Sequence, residues 1–92
     1  MDVYSQIAEK IIEHQESIIG PVAVEQAEAV HGLKVDWDKK DVQISGDEAK
    51  VIDNLVNQYK VLFGKISVEV CREAAGPLIN KLPEGKLPKT LA

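Results

Sequence analysis

Cysteine is almost missing from this chain. Cys71 is the only one, so no disulfide can form within it, and a reducing compartment is the expected setting. Aromatic residues are scarce as well. Tyr4, Trp37, Tyr59 and Phe63 are the whole set, so the core must come from Val, Ile, Leu and Ala. No apolar run is long enough to span a bilayer, and no membrane partner is expected. Glu9, Lys10, Glu13 and Glu16 interrupt the first apolar stretch, so no secretory leader and a cytoplasmic chain are expected. An excess of basic charge is absent too: 11 basic residues face 15 acidic ones, for a net charge of −4. Affinity for phosphates depends on clustered Lys and Arg, and no basic patch is interleaved with aromatics, so no nucleic-acid partner is expected.

What is present is a steady supply of aliphatic residues in 92 positions, 45% hydrophobic in all. That suits one domain, residues 1–92, with a single modest core. Val3, Ile7, Ala8, Ile11, Ile12, Ile18 and Ile19 follow a helical stripe, with Asp2 as its N-cap and Glu9, Lys10, Glu13 and Glu16 on the other face. Gly20-Pro21 ends that helix, and a second is predicted from Pro21 to about His31, with Gly32 as its C-cap. The period then falls to two. Leu33, Val35 and Trp37 alternate with polar residues, as do Val42 and Ile44, which predicts a hairpin around Asp38-Lys39-Lys40-Asp41. An isolated hairpin is marginal in water, so it must pack on helices or pair across a dimer. Ser45 and Glu48 fit a capping box for a third helix, whose stripe is Val51, Ile52, Leu55, Val56, Tyr59, Leu62 and Phe63. After Gly64 a fourth helix carries Ile66, Val68, Val70, Cys71, Ala74 and Ala75, and Gly76-Pro77 is predicted to break it. Residues 83–92 read as an irregular tail.

Residues 7–32 and 51–76 align without a gap at an offset of 44, a candidate internal duplication. Gly20 meets Gly64, Val24 meets Val68, Glu25 meets Glu69 and Gly32 meets Gly76. Each half is a helical pair that cannot bury its stripe alone. The predicted architecture is therefore mainly α: two helical pairs packed as a four-helix domain with a small β-hairpin between them.

Chemistry is harder to find. His14, His31 and Cys71 lack any metal-ligand spacing, so no metal and no cofactor is expected. His14 reads as solvent-facing, His31 as a last-turn cation at a helix C-terminus, and Cys71 as a small packing residue. Ser5, Ser17, Ser45 and Ser67 show no nucleophile signature. Glu25 and Glu69 read as acids in the first turn or two of their helices, where they complement the dipoles. Gly64-Lys65 lacks the glycine-rich loop of a phosphate site, and Lys39-Lys40 reads as a solvated turn. No catalytic residue is assigned, and the chain is not read as an enzyme.

The residues singled out for partner binding are Trp37, Leu87 and Leu91. Trp37 is a lone tryptophan in a short strand, a position more often core than partner anchor, yet aromatic anchors are enriched at interfaces. Leu87 and Leu91 join Leu82 in a tail of net charge +2 (residues 77–92), while residues 1–32 carry −5. The tail is therefore expected to dock along the acidic first helical pair, either in its own chain or in a dimer partner. The function expected is a non-catalytic protein-interaction or adaptor module that forms a homodimer. The alternatives are a sensor domain with an apolar helical pocket for a small molecule, or a small subunit of a multi-chain enzyme.

Overall fold

The computed structural model describes residues 2–92, which form four α-helices and one two-stranded sheet. The helices are α1 (Val3–Ile19), α2 (Val22–Glu28), α3 (Glu48–Phe63) and α4 (Lys65–Ile79). The strands β1 (Leu33–Asp36) and β2 (Asp41–Ile44) lie between α2 and α3 and pair antiparallel, with Leu33 opposite Ile44 and Val35 opposite Val42.

Asp2 caps α1, its carboxylate accepting from the Ser5 amide at 2.8 Å. The α1 stripe buries Ile7, Ala8, Ile11 and Ile12. Gly20 ends the helix at φ 76°, ψ −159°, a backbone region that essentially only glycine reaches. The second helix is shorter than predicted and stops at Glu28. Val30 turns inward and is buried, its amide bonding back to the Ala27 carbonyl, so the chain leaves the helix to fill the core. His31 therefore lies exposed in the following turn and not in the last helical turn. Gly32 is not a helix cap either. At φ +89° it passes so close to α3 that a Cβ would meet Val51 at 2.8 Å and the Ser45 carbonyl at 3.0 Å.

The hairpin is shorter on its first strand than the alternation implied. Trp37 leaves the strand and opens a 3-10 turn, Trp37–Lys39, closed by Lys40 in the left-handed region at φ 52°. β2 packs on α1 and β1 on α2, so the sheet is supported within the chain. The capping box is also displaced. Asp47, not Ser45, is the N-cap of α3, accepting from the Lys50 amide at 3.2 Å. Gly76-Pro77 does not break α4, which runs on to Ile79. Proline forfeits one intrahelical bond, but here it is exposed near the helix end, while Leu78 and Ile79 gain packing against the core.

The most extensive helix contact is between α1 and α4, with α3 packed against α4 and α2 against α1. Two polar groups are built into this core. Gln15 is 1% exposed, and its Nε2 donates to the Ser67 carbonyl at 3.0 Å and to Cys71 Sγ at 3.4 Å, tying α1 to α4. Tyr59 is fully buried and its hydroxyl donates to the Ala23 carbonyl at 2.6 Å, tying α3 to α2. Among the described residues no buried side-chain nitrogen or oxygen lacks a partner.

Candidate functional site

Leu62 and Phe63 stand on the predicted apolar stripe of α3, yet they are 49% and 36% exposed. The stripe overruns the elements that cover it. Val51, Ile52, Leu55, Val56 and Tyr59 are buried, and then Gly64 (φ 81°, ψ −171°) reverses the chain into α4. Just past the reversal, Ile66 is 74% exposed. The Gln15–Ser67 contact brings the end of α1 beside the start of α4, which adds Ile18 at 63% exposure. Ile18, Leu62, Phe63 and Ile66 are thus exposed apolar residues at the corner where the end of α1, the end of α3 and the start of α4 come together. Val61 is exposed as well, but it lines a separate cavity with Ala29, His31 and Asn57.

The three residues singled out from the sequence lie elsewhere and are not brought together. Trp37 is half-buried at the hairpin turn. Its indole N–H donates to both carboxylate oxygens of Glu16 at 3.1 Å, and the Lys40 ammonium lies 3.8 Å above its ring and 3.9 Å from Glu16. Lys40 is thus a cover for Trp37, where the sequence suggested a solvated turn lysine. Leu91 is buried and Leu87 half-buried within their own chain. The tail is docked, but against α3 and α4 and not along the acidic first helical pair. Asp53 accepts from the Thr90 amide at 2.9 Å and the Thr90 hydroxyl at 2.7 Å, so one carboxylate on α3 does the work expected of the acidic N-terminal third. From α1, Tyr4 reaches the tail, its hydroxyl donating to the Lys86 carbonyl at 2.7 Å.

Of the candidate reactive groups, burial pushes the Cys71 thiol up to about 11, against a smaller lowering from the Gln15 hydrogen bond. A thiol held protonated is a poor nucleophile. His14 is exposed. Ser67 is buried and its carbonyl is taken by Gln15, while Ser45 is exposed. Glu69 is exposed in the second turn of α4 and pairs with Arg72 at 3.1 Å. Glu48 and Asp2 share a hydrogen bond where the starts of α3 and α1 meet. That bond and partial burial push Glu48 up to about 7, and the same bond with the Ser5 amide holds Asp2 low. Among the described residues no three His, Cys, Asp or Glu side chains are grouped to hold a metal, and no helix is long and apolar enough to cross a membrane. No family model, curated protein or solved structure matches this chain.

Proposed function

We propose that this chain is a non-catalytic protein-interaction module, and that it forms a homodimer through the corner of Ile18, Leu62, Phe63 and Ile66. The exposure of that corner carries the reading. Apolar side chains grouped at one end of a small domain mark an association surface, and each stands to contribute up to about 1.5–3 kcal/mol when taken from water. A second copy brings the same corner, and a twofold arrangement buries both at once. The hairpin, supported by α1 and α2, is free of the pairing role that an unsupported sheet would have needed. The proposal places the module in the cytoplasm, where a single buried thiol stays reduced.

Sedimentation across micromolar concentrations tests it. The expected mass is about twice the 10.1 kDa of the chain. Phe63→Glu with Ile66→Glu is expected to give a monomer that keeps its helical signal, because both side chains already face solvent. A wild-type chain that stays monomeric at every concentration overturns the homodimer.

A further inference from the structure

The tail marks a second surface, apart from the apolar corner. Residues 86–91 cross the α3–α4 groove as a strap, and recognition of the strap is concentrated in a few contacts. Asp53 takes the Lys89 amide at 3.3 Å as well as the amide and hydroxyl of Thr90. Arg72 Nε donates to the Thr90 carbonyl at 3.2 Å, and Pro88 and Leu91 are buried. Side chains of α3 and α4 read the strap, with Tyr4 of α1 on the Lys86 carbonyl, and the strap closes in a short 3-10 turn over Lys89–Leu91. The stretch leading to it, residues 80–85, is exposed apart from half-buried Leu82 and bends at Gly85, φ +80°.

Two open cavities flank the strap. One, about 600 Å³, separates Gly85, Lys86 and Leu87 from Asp47, Lys50 and Asn54 at the start of α3. The other, about 340 Å³, shares Arg72 with the strap's seat and is lined further by Lys60, Lys65, Val68 and Glu69. It holds three cations against one carboxylate, and Glu69 is already engaged by Arg72 at 3.1 Å. Among the described residues neither Lys60 nor Lys65 makes an ion pair.

We infer that the α3–α4 groove is a peptide seat filled in cis by the chain's own tail, and that a partner segment of the form Leu-Pro-x-Thr-Leu followed by acidic residues displaces it. The resident strap defines the first half of that chemistry: two apolar sockets, a pair of amides and a hydroxyl for Asp53, and a carbonyl for Arg72. The cation-lined cavity defines the second half. A tethered strap competes at an effective concentration of about millimolar, so a partner must make contacts that the strap does not. Acidic residues placed against Lys60 and Lys65 supply them.

Titrating the full-length protein with the synthetic peptide Leu-Pro-Lys-Thr-Leu-Glu-Glu, followed by amide NMR, tests the inference. The Lys89 and Thr90 amides are expected to move to free-chain positions as peptide binds. A peptide ending in Lys-Lys is expected to bind several-fold more weakly, and Lys60→Ala with Lys65→Ala to erase that difference. Releasing the strap by Leu91→Asp in the full chain is expected to tighten peptide binding about tenfold, because the tethered competitor is removed. Should that variant fail to fold, the wild-type titration still decides. Lys89 and Thr90 amides unmoved at several-millimolar peptide, or an equal response to a scrambled peptide, overturn the seat. Equal binding of the two endings overturns the acidic partner.

Discussion

The junctions at Gly20 and Gly64 are two answers to one local pattern. Their backbones nearly coincide, at φ 76°, ψ −159° and φ 81°, ψ −171°. The apolar residues beside them align as well: Ile18-Ile19 with Leu62-Phe63, and Val22 with Ile66. Their surroundings differ. At the first junction Ile19 and Val22 are half-buried, whereas at the second Leu62, Phe63 and Ile66 are all exposed. The helix that follows decides this. α2 has 7 residues and gives way to a hairpin that packs back on α1 and α2, while α4 has 15 and runs along α1, leaving its own start uncovered. Glycine and the apolar pattern determine how the chain turns; the neighbouring elements determine whether the flanking side chains become core or surface.

The largest effects should come from aligned positions whose burial agrees. Ile11→Ala and Leu55→Ala each remove a fully buried side chain and are expected to cost about 2–5 kcal/mol in a denaturant series. Ile18→Ser and Leu62→Ser, also aligned, should stay within about 0.5 kcal/mol for the monomer. A large loss at Leu62 in a monomeric protein would mean the second junction is covered after all. Glycine substitutions come next. Valine at Gly20 or at Gly64 is strained by the backbone alone, since a Cβ meets nothing within 4 Å at either, and both should cost about 1–3 kcal/mol. Unequal losses would break the likeness of the two turns. The other aligned glycines should part in sign: Gly32→Ala clashes with Val51 and destabilises, while Gly76→Ala, in the last turn of α4 with open space around it, stabilises by about 0.5–1 kcal/mol.

The smallest effect should be on pH. Glu48 holds its proton up to about 7 in the folded chain, so between its ordinary value of 4.5 and 7 the folded state binds more protons than the unfolded one. That contribution is complete at low pH and is lost as pH rises through 7. Asp2, held low, contributes the opposite slope below its ordinary 3.8. Thermal melts should fall modestly from pH 5 to pH 7.5, and Glu48→Gln should flatten that fall. An unchanged slope in the variant would assign it to other groups.

The helix count, the hairpin and most of the core were legible in the sequence because each rests on a local period. Ile7, Ile11, Val51, Leu55 and Tyr59 lie where the 3.6-residue stripe puts them. Misreadings fell where a distant element outweighs a local signal. Gly32 resembles a helix cap, but its lack of a side chain serves the approach of α3. Asp47 and Ser45 are both sound caps, and only the path of the chain out of β2 selects between them. Gly76-Pro77 carries a break signal that packing of Leu78 and Ile79 overrides. The apolar corner was hidden because exposed Leu62 and Phe63 keep the same spacing as buried Leu55 and Tyr59. The seat of the tail depends on Asp53 and Arg72, 19 residues apart in sequence and marked by no motif.

Gln15 has one more consequence. The facing surfaces of α1 and α4 are otherwise aliphatic or small, with Ile11, Ala74 and Ala75 among their buried residues, and such surfaces tolerate sliding past one another. A slip of one helical turn, about 5.4 Å, would carry the Ser67 carbonyl and Cys71 away from the Gln15 amide. The amide would then be left unsatisfied among hydrocarbon, at a cost of about 1–3 kcal/mol. One polar side chain therefore fixes the register of the longest helix contact in the molecule. Leucine in its place would preserve the grease of that interface and lose its single alignment, and the mutual placement of the apolar corner and the strap's groove would blur with it.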